Sequence, residues 1–156
     1  MMVENKKMKS LTQGSKIFLD MDGVLARFEQ EPNALERFEK EKDFFEKLAP
    51  TKLTLKLKDV ELKDTYILTS SPHAEADNSK RKWIKKYLPQ LADKVITVRS
   101  GKEKSNYAKG NILVDDFTEN LEYWNSKGGT GVKALNGING LTLRYKEVTA
   151  MEIRVD

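Results

Sequence analysis

The sequence predicts a doubly wound α/β fold, a mainly parallel sheet with helices on both faces. Three observations predict it. Short apolar runs recur at Ile17-Phe18-Leu19, Tyr66-Ile67-Leu68, Val95-Ile96-Thr97-Val98 and Ile112-Leu113-Val114. Each is nearly continuous rather than alternating, as in strands buried on both faces of a parallel sheet. Between them lie stretches with helical spacing, and such alternation is the signature of right-handed βαβ units.

The elements follow in chain order. Ile17–Leu19 opens the sheet and ends in the Asp20-Met21-Asp22 cluster. Pro32 is a favourable first helical residue, and Leu35, Phe38, Phe45 and Leu48 keep one apolar stripe, so one helix is expected from Pro32 to Leu48. Leu53, Leu57 and Val60 favour a further helix before the second strand. Asn78 or Ser79 can cap a helix carrying Trp83, Ile84, Tyr87 and Leu88, which Pro89 stops. Thr118 can cap one carrying Leu121 and Trp124, which Gly128-Gly129 terminates. Val132–Leu135 reads as a fifth strand. The turn dipeptides Asn136-Gly137 and Asn139-Gly140, followed by alternating Leu141, Leu143 and Tyr145, predict an edge hairpin at about 132–146.

Length and composition bound the class. A chain of 156 residues is expected to form one domain, here 15–156, behind a flexible Lys-rich start at 1–14. With no Cys there is no disulfide framework, no Cys-ligated zinc and no thiol nucleophile, which fits a reducing compartment. No apolar run approaches the ~18–20 residues of a membrane span, and the start lacks a signal-peptide core. The expectation is a soluble cytoplasmic protein without a membrane partner. Between Lys80 and Lys109 stand ten basic residues against Asp93 and Glu103, which predicts a basic surface that attracts phosphate on a metabolite or a nucleic-acid backbone.

In an open α/β sheet, ligands bind outside the carboxyl ends of the strands. Here those ends carry the reactive residues: Asp20 and Asp22 after the first run, Thr69, Ser70 and Ser71 after the second, Arg99, Lys102 and Lys104 after the third, Asp115 and Asp116 after the fourth. Converging carboxylates repel one another unless a cation sits among them, and a hard cation with oxygen ligands points to Mg²⁺. With it, one carboxylate can attack phosphorus, and another two residues on can serve as general acid and then general base. Met21 would point away, and Gly23 would let the chain turn with its backbone close to a phosphate. Thr69 or Ser70 and a lysine would stabilise the charge on the phosphoryl oxygens. His73 reads as a loop residue, and Trp83, Tyr87 and Trp124 read as core. Arg99 reads equally as a phosphate ligand or an exposed cation.

The ordered set Asp20-Met21-Asp22-Gly23-Val24-Leu25, Thr69-Ser70, a lysine, and Ile112-Leu113-Val114-Asp115-Asp116 resembles the haloacid dehalogenase-like phosphatases. More narrowly, Phe28 after the first motif, the Thr-Ser-Ser-Pro turn and the downstream Trp and Gly-Gly resemble the 5′(3′)-deoxyribonucleotidase branch and its short phage and bacterial members. The resemblance implies Asp20 as nucleophile and Asp22 as acid/base. It implies Mg²⁺ held by Asp20, the backbone carbonyl of Asp22, and Asp115 or Asp116. Thr69, Ser70 and Lys104 would hold the phosphate, with Lys104 preferred over Lys102 because fewer residues separate it from the fourth strand. Phe28 would stack on the base of a deoxynucleotide. Only 46 residues separate Asp22 from Thr69, so the cap over the site is expected to be reduced, at about 29–50. A phosphatase of nucleic-acid ends or of another small phosphoester, and a receiver-like binding module without turnover, are the alternatives.

Overall fold

The computed structural model describes residues 14–28, 33–41, 43–137 and 151–156, with the side chains of Leu35, Phe38 and Glu39 outside the description. Six strands form one sheet: β1 (Ile17–Leu19), β2 (Thr65–Ser70), β3 (Val95–Val98), β4 (Ile112–Asp115), β5 (Thr130–Leu135) and β6 (Glu152–Arg154). The order is β3-β2-β1-β4-β5-β6, and every described pair is parallel. This is the Rossmann-like order, in which the chain reverses direction across the sheet between β1 and β4.

The near-continuous apolar runs are explained by the two faces of the sheet. Side chains alternate along a strand, so a doubly covered strand has no polar phase. Leu19, Ile67, Ile112, Val114 and Val132 face one core, packed with Trp83 and Ile84 of α3 (Ala74–Tyr87). Phe18, Leu68, Val98 and Leu113 face the other, packed with Leu121 and Trp124 of α4 (Thr118–Ser126). Phe18 sits edge-on to Trp124 with centroids 5.6 Å apart.

Several boundaries differ from the sequence expectation. The single helix expected from Pro32 to Leu48 is two pieces, α1 (Ala34–Lys40) and a 3₁₀ turn at Phe45–Lys47, because the chain leaves helical dihedrals at Glu41. Consecutive residues lie about 100° apart on a helix; the break instead lets Phe44 and Phe45 both bury, with rings 5.2 Å apart. Pro32 lies outside the described residues. This excursion is closed at its base by the Ala26–Pro50 bridge and the bond from Arg27 N to Ala49 O. Phe44, Phe45 and Leu48 join the main core. The helix expected from Leu53 is α2 (Lys52–Leu57), capped by Thr51.

The α3 helix begins at Ala74, ahead of the expected Asn78 or Ser79 cap. His73 supplies the cap, its Nδ1 accepting from Ala76 N at 3.1 Å, while Ser79 is buried mid-helix and accepts from Glu46 N. Thr118 is the first helical residue of α4 rather than its cap. The second arm of the expected edge hairpin, Leu141 to Tyr145, lies outside the described residues, as does the Lys-rich start to residue 13. β6, which carries no strand signal beyond Ile153 and Val155, lies parallel to β5 with Ala134 opposite Ile153. No helix among the described residues is long and apolar enough to cross a membrane.

Candidate functional site

The carboxyl ends of β1, β2 and β4 meet at the reversal of strand order, and the polar residues predicted from the sequence gather there. Asp20 follows β1 directly, with its N–H donating to Val114 O of β4 at 3.0 Å. Met21 turns inward and is fully buried, as expected. Its carbonyl accepts from Val24 N, Leu25 N and Ala26 N, which curls the loop and aims Asp20 and Asp22 out of the core. Gly23 makes that curl possible with φ of +83°, a left-handed conformation that side chains with a Cβ rarely adopt. Thr51 and Thr54 brace the loop from α2, their hydroxyls donating to Val24 O at 2.8 Å and Leu25 O at 2.7 Å.

Lys104 lies in the 3₁₀ turn Lys102–Tyr107 and is 1% exposed. Its Nζ donates to Asp20 Oδ1 at 2.8 Å and to Asp115 Oδ2 at 3.0 Å. Burial works against the Lys104 ammonium, but Asp115 and Asp20 hold its pKa above the ordinary lysine value. Lys102, the alternative weighed from spacing, instead places its Nζ over the Tyr123 ring. Close approach of this turn to α4 requires Gly101, where a Cβ would fall 2.0 Å from Asn120 Oδ1. Asn120 Nδ2 in turn donates to Asp115 Oδ2 at 3.1 Å, and Asp115 Oδ1 accepts from Phe117 N.

Asp20, Asp115 and Asp116 are all buried, and each brings one carboxylate oxygen within 4.8 Å of the others. Burial, then the charge of Asp115, raises the Asp20 pKa well above the ordinary carboxylate range, and Lys104 offsets only part of this. Three hard anionic oxygens held this close form a donor set suited to a hard divalent cation. The side chain of Asp22 stands apart from that set.

Three buried lysines stand among these acids, where the sequence reading expected one ammonium, Lys104, beside a cation. Besides Lys104, Lys80 of α3 is fully buried and donates to Asp22 Oδ2 at 2.8 Å, Thr69 Oγ1 at 2.8 Å and Ser70 O at 2.6 Å, with Nζ 4.5 Å from the Phe45 ring centroid. Lys133 of β5 donates to Asp116 O and to Thr118 Oγ1. Burial lowers its pKa despite Asp116 and Asp115. The basic run from Lys80 to Lys109 is therefore not one surface: Lys80 and Lys104 point into the site, and Arg99 forms a two-pronged pair with Asp77 at 3.0 Å. A signal for Lys80 existed, since it falls four residues after Ala76 and three before Trp83, on the apolar stripe of α3. Lys133 likewise stands inside an apolar strand.

Thr69 is buried and touches the site through Lys80, and Ser70 does so through its carbonyl. Phe28 packs parallel to Phe45 at 6.1 Å and edge-on to Phe44 at 5.8 Å. Phe117, which directly follows Asp116 and is 56% exposed, was not singled out from the sequence. Asn136, just beyond β5, donates to Asp116 Oδ2 at 3.1 Å and to Gly23 O at 3.2 Å, and no motif pointed to it. No protein-family model matches this chain, and no curated protein matches it.

Proposed function

We propose that this chain is a Mg²⁺-dependent phosphomonoester hydrolase of the haloacid dehalogenase-like type, acting on a nucleoside monophosphate in the manner of a 5′(3′)-deoxyribonucleotidase. The observation that carries the reading is the convergence of Asp20 and Asp22 with Thr69, Lys104 and the Asp115-Asp116 pair at the switch point of a parallel sheet. Each residue type suits a step of aspartyl-phosphate chemistry, and their order along the chain is that of the resemblance drawn from the sequence.

In this reading an Asp20 carboxylate oxygen attacks phosphorus while the ester P–O bond breaks, and the departing alkoxide takes a proton from Asp22. Asp22 then accepts a proton from the water that attacks the aspartyl-phosphate, which releases phosphate and restores Asp20. Asp22 Oδ1 is buried without a hydrogen-bond partner, which leaves this oxygen unsatisfied until a reacting group arrives. The Thr69 hydroxyl accepts from Lys80 and donates to the Ser70 carbonyl at a long 3.5 Å, a weak bond that a phosphoryl oxygen would replace. Lys104 bridges Asp20 and Asp115 and so keeps the two carboxyl groups together. Asp20, Asp115 and Asp116, with the Asp22 carbonyl, would hold Mg²⁺, which supplies charge neutralisation on the phosphoryl oxygens.

The test is phosphate release from deoxy- and ribonucleoside monophosphates, sugar phosphates and phosphorylated oligonucleotides, with Mg²⁺ and with chelator. Mg²⁺-dependent release from a nucleotide, lost in Asp20→Asn, is the expected result. Release from oligonucleotides alone would move the substrate to nucleic-acid ends. Undiminished turnover in Asp20→Asn would overturn the mechanism.

A further inference from the structure

We propose that Asn136 is the positioning residue that sets the spacing of the cation-binding carboxylates. This rests on the reading of Asp20, Asp115 and Asp116 as a cation site.

Asn136 is the first residue beyond β5 and is buried. A carboxamide nitrogen carries two N–H groups. Here one meets Asp116 Oδ2 at 3.1 Å and the other the Gly23 carbonyl at 3.2 Å, a contact that spans 113 positions of sequence. The strand end holds Asp116 a second time, because buried Lys133 donates to the Asp116 carbonyl oxygen and to Thr118 Oγ1 at 3.0 Å. Asp116 is thus fixed at both its carboxylate and its backbone by two residues of one short segment.

The chemistry explains why the holding group is a carboxamide. Three buried carboxylates within 4.8 Å repel one another, and a side chain free to rotate would swing away from the cluster. An ammonium at position 136 would compete with a cation for the negative charge, and a carboxylate would add repulsion. A neutral donor restrains Asp116 without either effect, the part that outer-shell partners play around metal ligands. Because Gly23 follows Asp22, the same amide ties the loop that carries Asp20 and Asp22 to the loop that carries Asp115 and Asp116.

The experiment titrates Mn²⁺ as the probe into the cation-free full chain, followed by electron paramagnetic resonance and calorimetry, for wild type, Asn136→Ala and Asn136→Leu. Leucine refills the volume without a donor, and it carries the measurement if the alanine variant does not fold. Both variants are expected to bind Mn²⁺ about 10–100-fold more weakly than wild type. In an Asp116→Asn background, Asn136→Leu should cause a smaller further loss than in wild type, since its action through Asp116 is already gone and only the tie to Gly23 remains. Equal affinity in wild type and a folded variant, even with a lowered melting temperature, overturns the role of Asn136 and leaves the cation reading standing. The absence of Mn²⁺ binding by wild type overturns both.

Discussion

The Lys80 ammonium, fully buried in α3, lies 2.8 Å from Asp22 Oδ2 and spends its other donors on Thr69 and the Ser70 carbonyl. One cation therefore fixes the proposed acid/base and the proposed phosphate-binding hydroxyl together. Removing one partner of a buried pair leaves the remaining groups unsatisfied, at about 3–5 kcal/mol when both are fully enclosed. The Asp22 side chain is 22% exposed and regains water, so Lys80→Met is expected to cost about 2 kcal/mol, read from urea unfolding. Its kcat/KM should fall further on an alkyl phosphate than on p-nitrophenyl phosphate, whose leaving group needs little acid assistance. Equal loss on both would assign Lys80 to the fold alone.

Asp20 makes the cation-free protein's stability depend on pH in an unusual direction. Burial and the Asp115 charge raise its pKa in the folded chain, so the folded state binds this proton more tightly than the unfolded state. Its ionisation then destabilises the fold as pH rises past the unfolded value, about 3.9. Asp77 acts in the opposite sense: burial would raise its pKa, but Arg99 brings it below the ordinary value. The stability it contributes is present above its unfolded pKa and lost as pH falls through its folded one. Urea unfolding in chelator should therefore show wild type losing stability relative to Asp20→Asn as pH rises above about 4. Parallel profiles would mean that Asp20 ionises without penalty.

Cation addition should reverse that penalty. A ligand at a hundredfold excess over its dissociation constant stabilises the folded state by about 2.7 kcal/mol, or roughly 5–10 °C in melting temperature for a chain of this size. Mg²⁺ is expected to raise the wild-type melting temperature by this order and to leave Asp115→Asn and Asp116→Asn nearly unmoved. A matching rise in both variants would locate the binding elsewhere.

The acids were legible in the sequence because Asp20 and Asp115 directly follow apolar runs, with Asp22 and Asp116 close behind them, and a parallel sheet delivers such residues to one edge. Lys104 was legible from its distance to the fourth strand, but Lys80 was not, because it sits beside Arg81 and Lys82, and a Lys-rich run on a helix reads as a solvated face until its phase against Trp83 is counted. Asn136 carried only a turn signal with Gly137 and none for the site: its partners Gly23 and Asp116 are brought to it by sheet order, which local spacing does not encode. The split of the expected Pro32–Leu48 helix was hidden for a related reason. Phe38 and Phe45 are seven residues apart and stay in phase, while the break that buries both Phe44 and Phe45 is set by packing against Phe28 and Lys80.

That aromatic packing bears on how a nucleotide base would be held. The resemblance assigned stacking to Phe28, yet in the folded chain that ring lies parallel to Phe45 and edge-on to Phe44. Phe117 directly follows Asp116, is 56% exposed, and has its amide anchored by Asp115 Oδ1 at 3.0 Å, so an accessible aromatic residue is carried by a backbone tied to the acid cluster. Base-on-aromatic stacking contributes about 1–3 kcal/mol, and 1.4 kcal/mol is a factor of ten. Phe117→Ala is therefore expected to raise KM for a nucleoside monophosphate about tenfold with kcat little changed, and to leave KM for ribose 5-phosphate, which has no base, unmoved. Phe28→Leu should lower the melting temperature with no such selectivity, because it loosens the ring cluster that backs Lys80. A selective rise in KM from Phe28→Leu, with Phe117→Ala silent, would return the stacking role to Phe28.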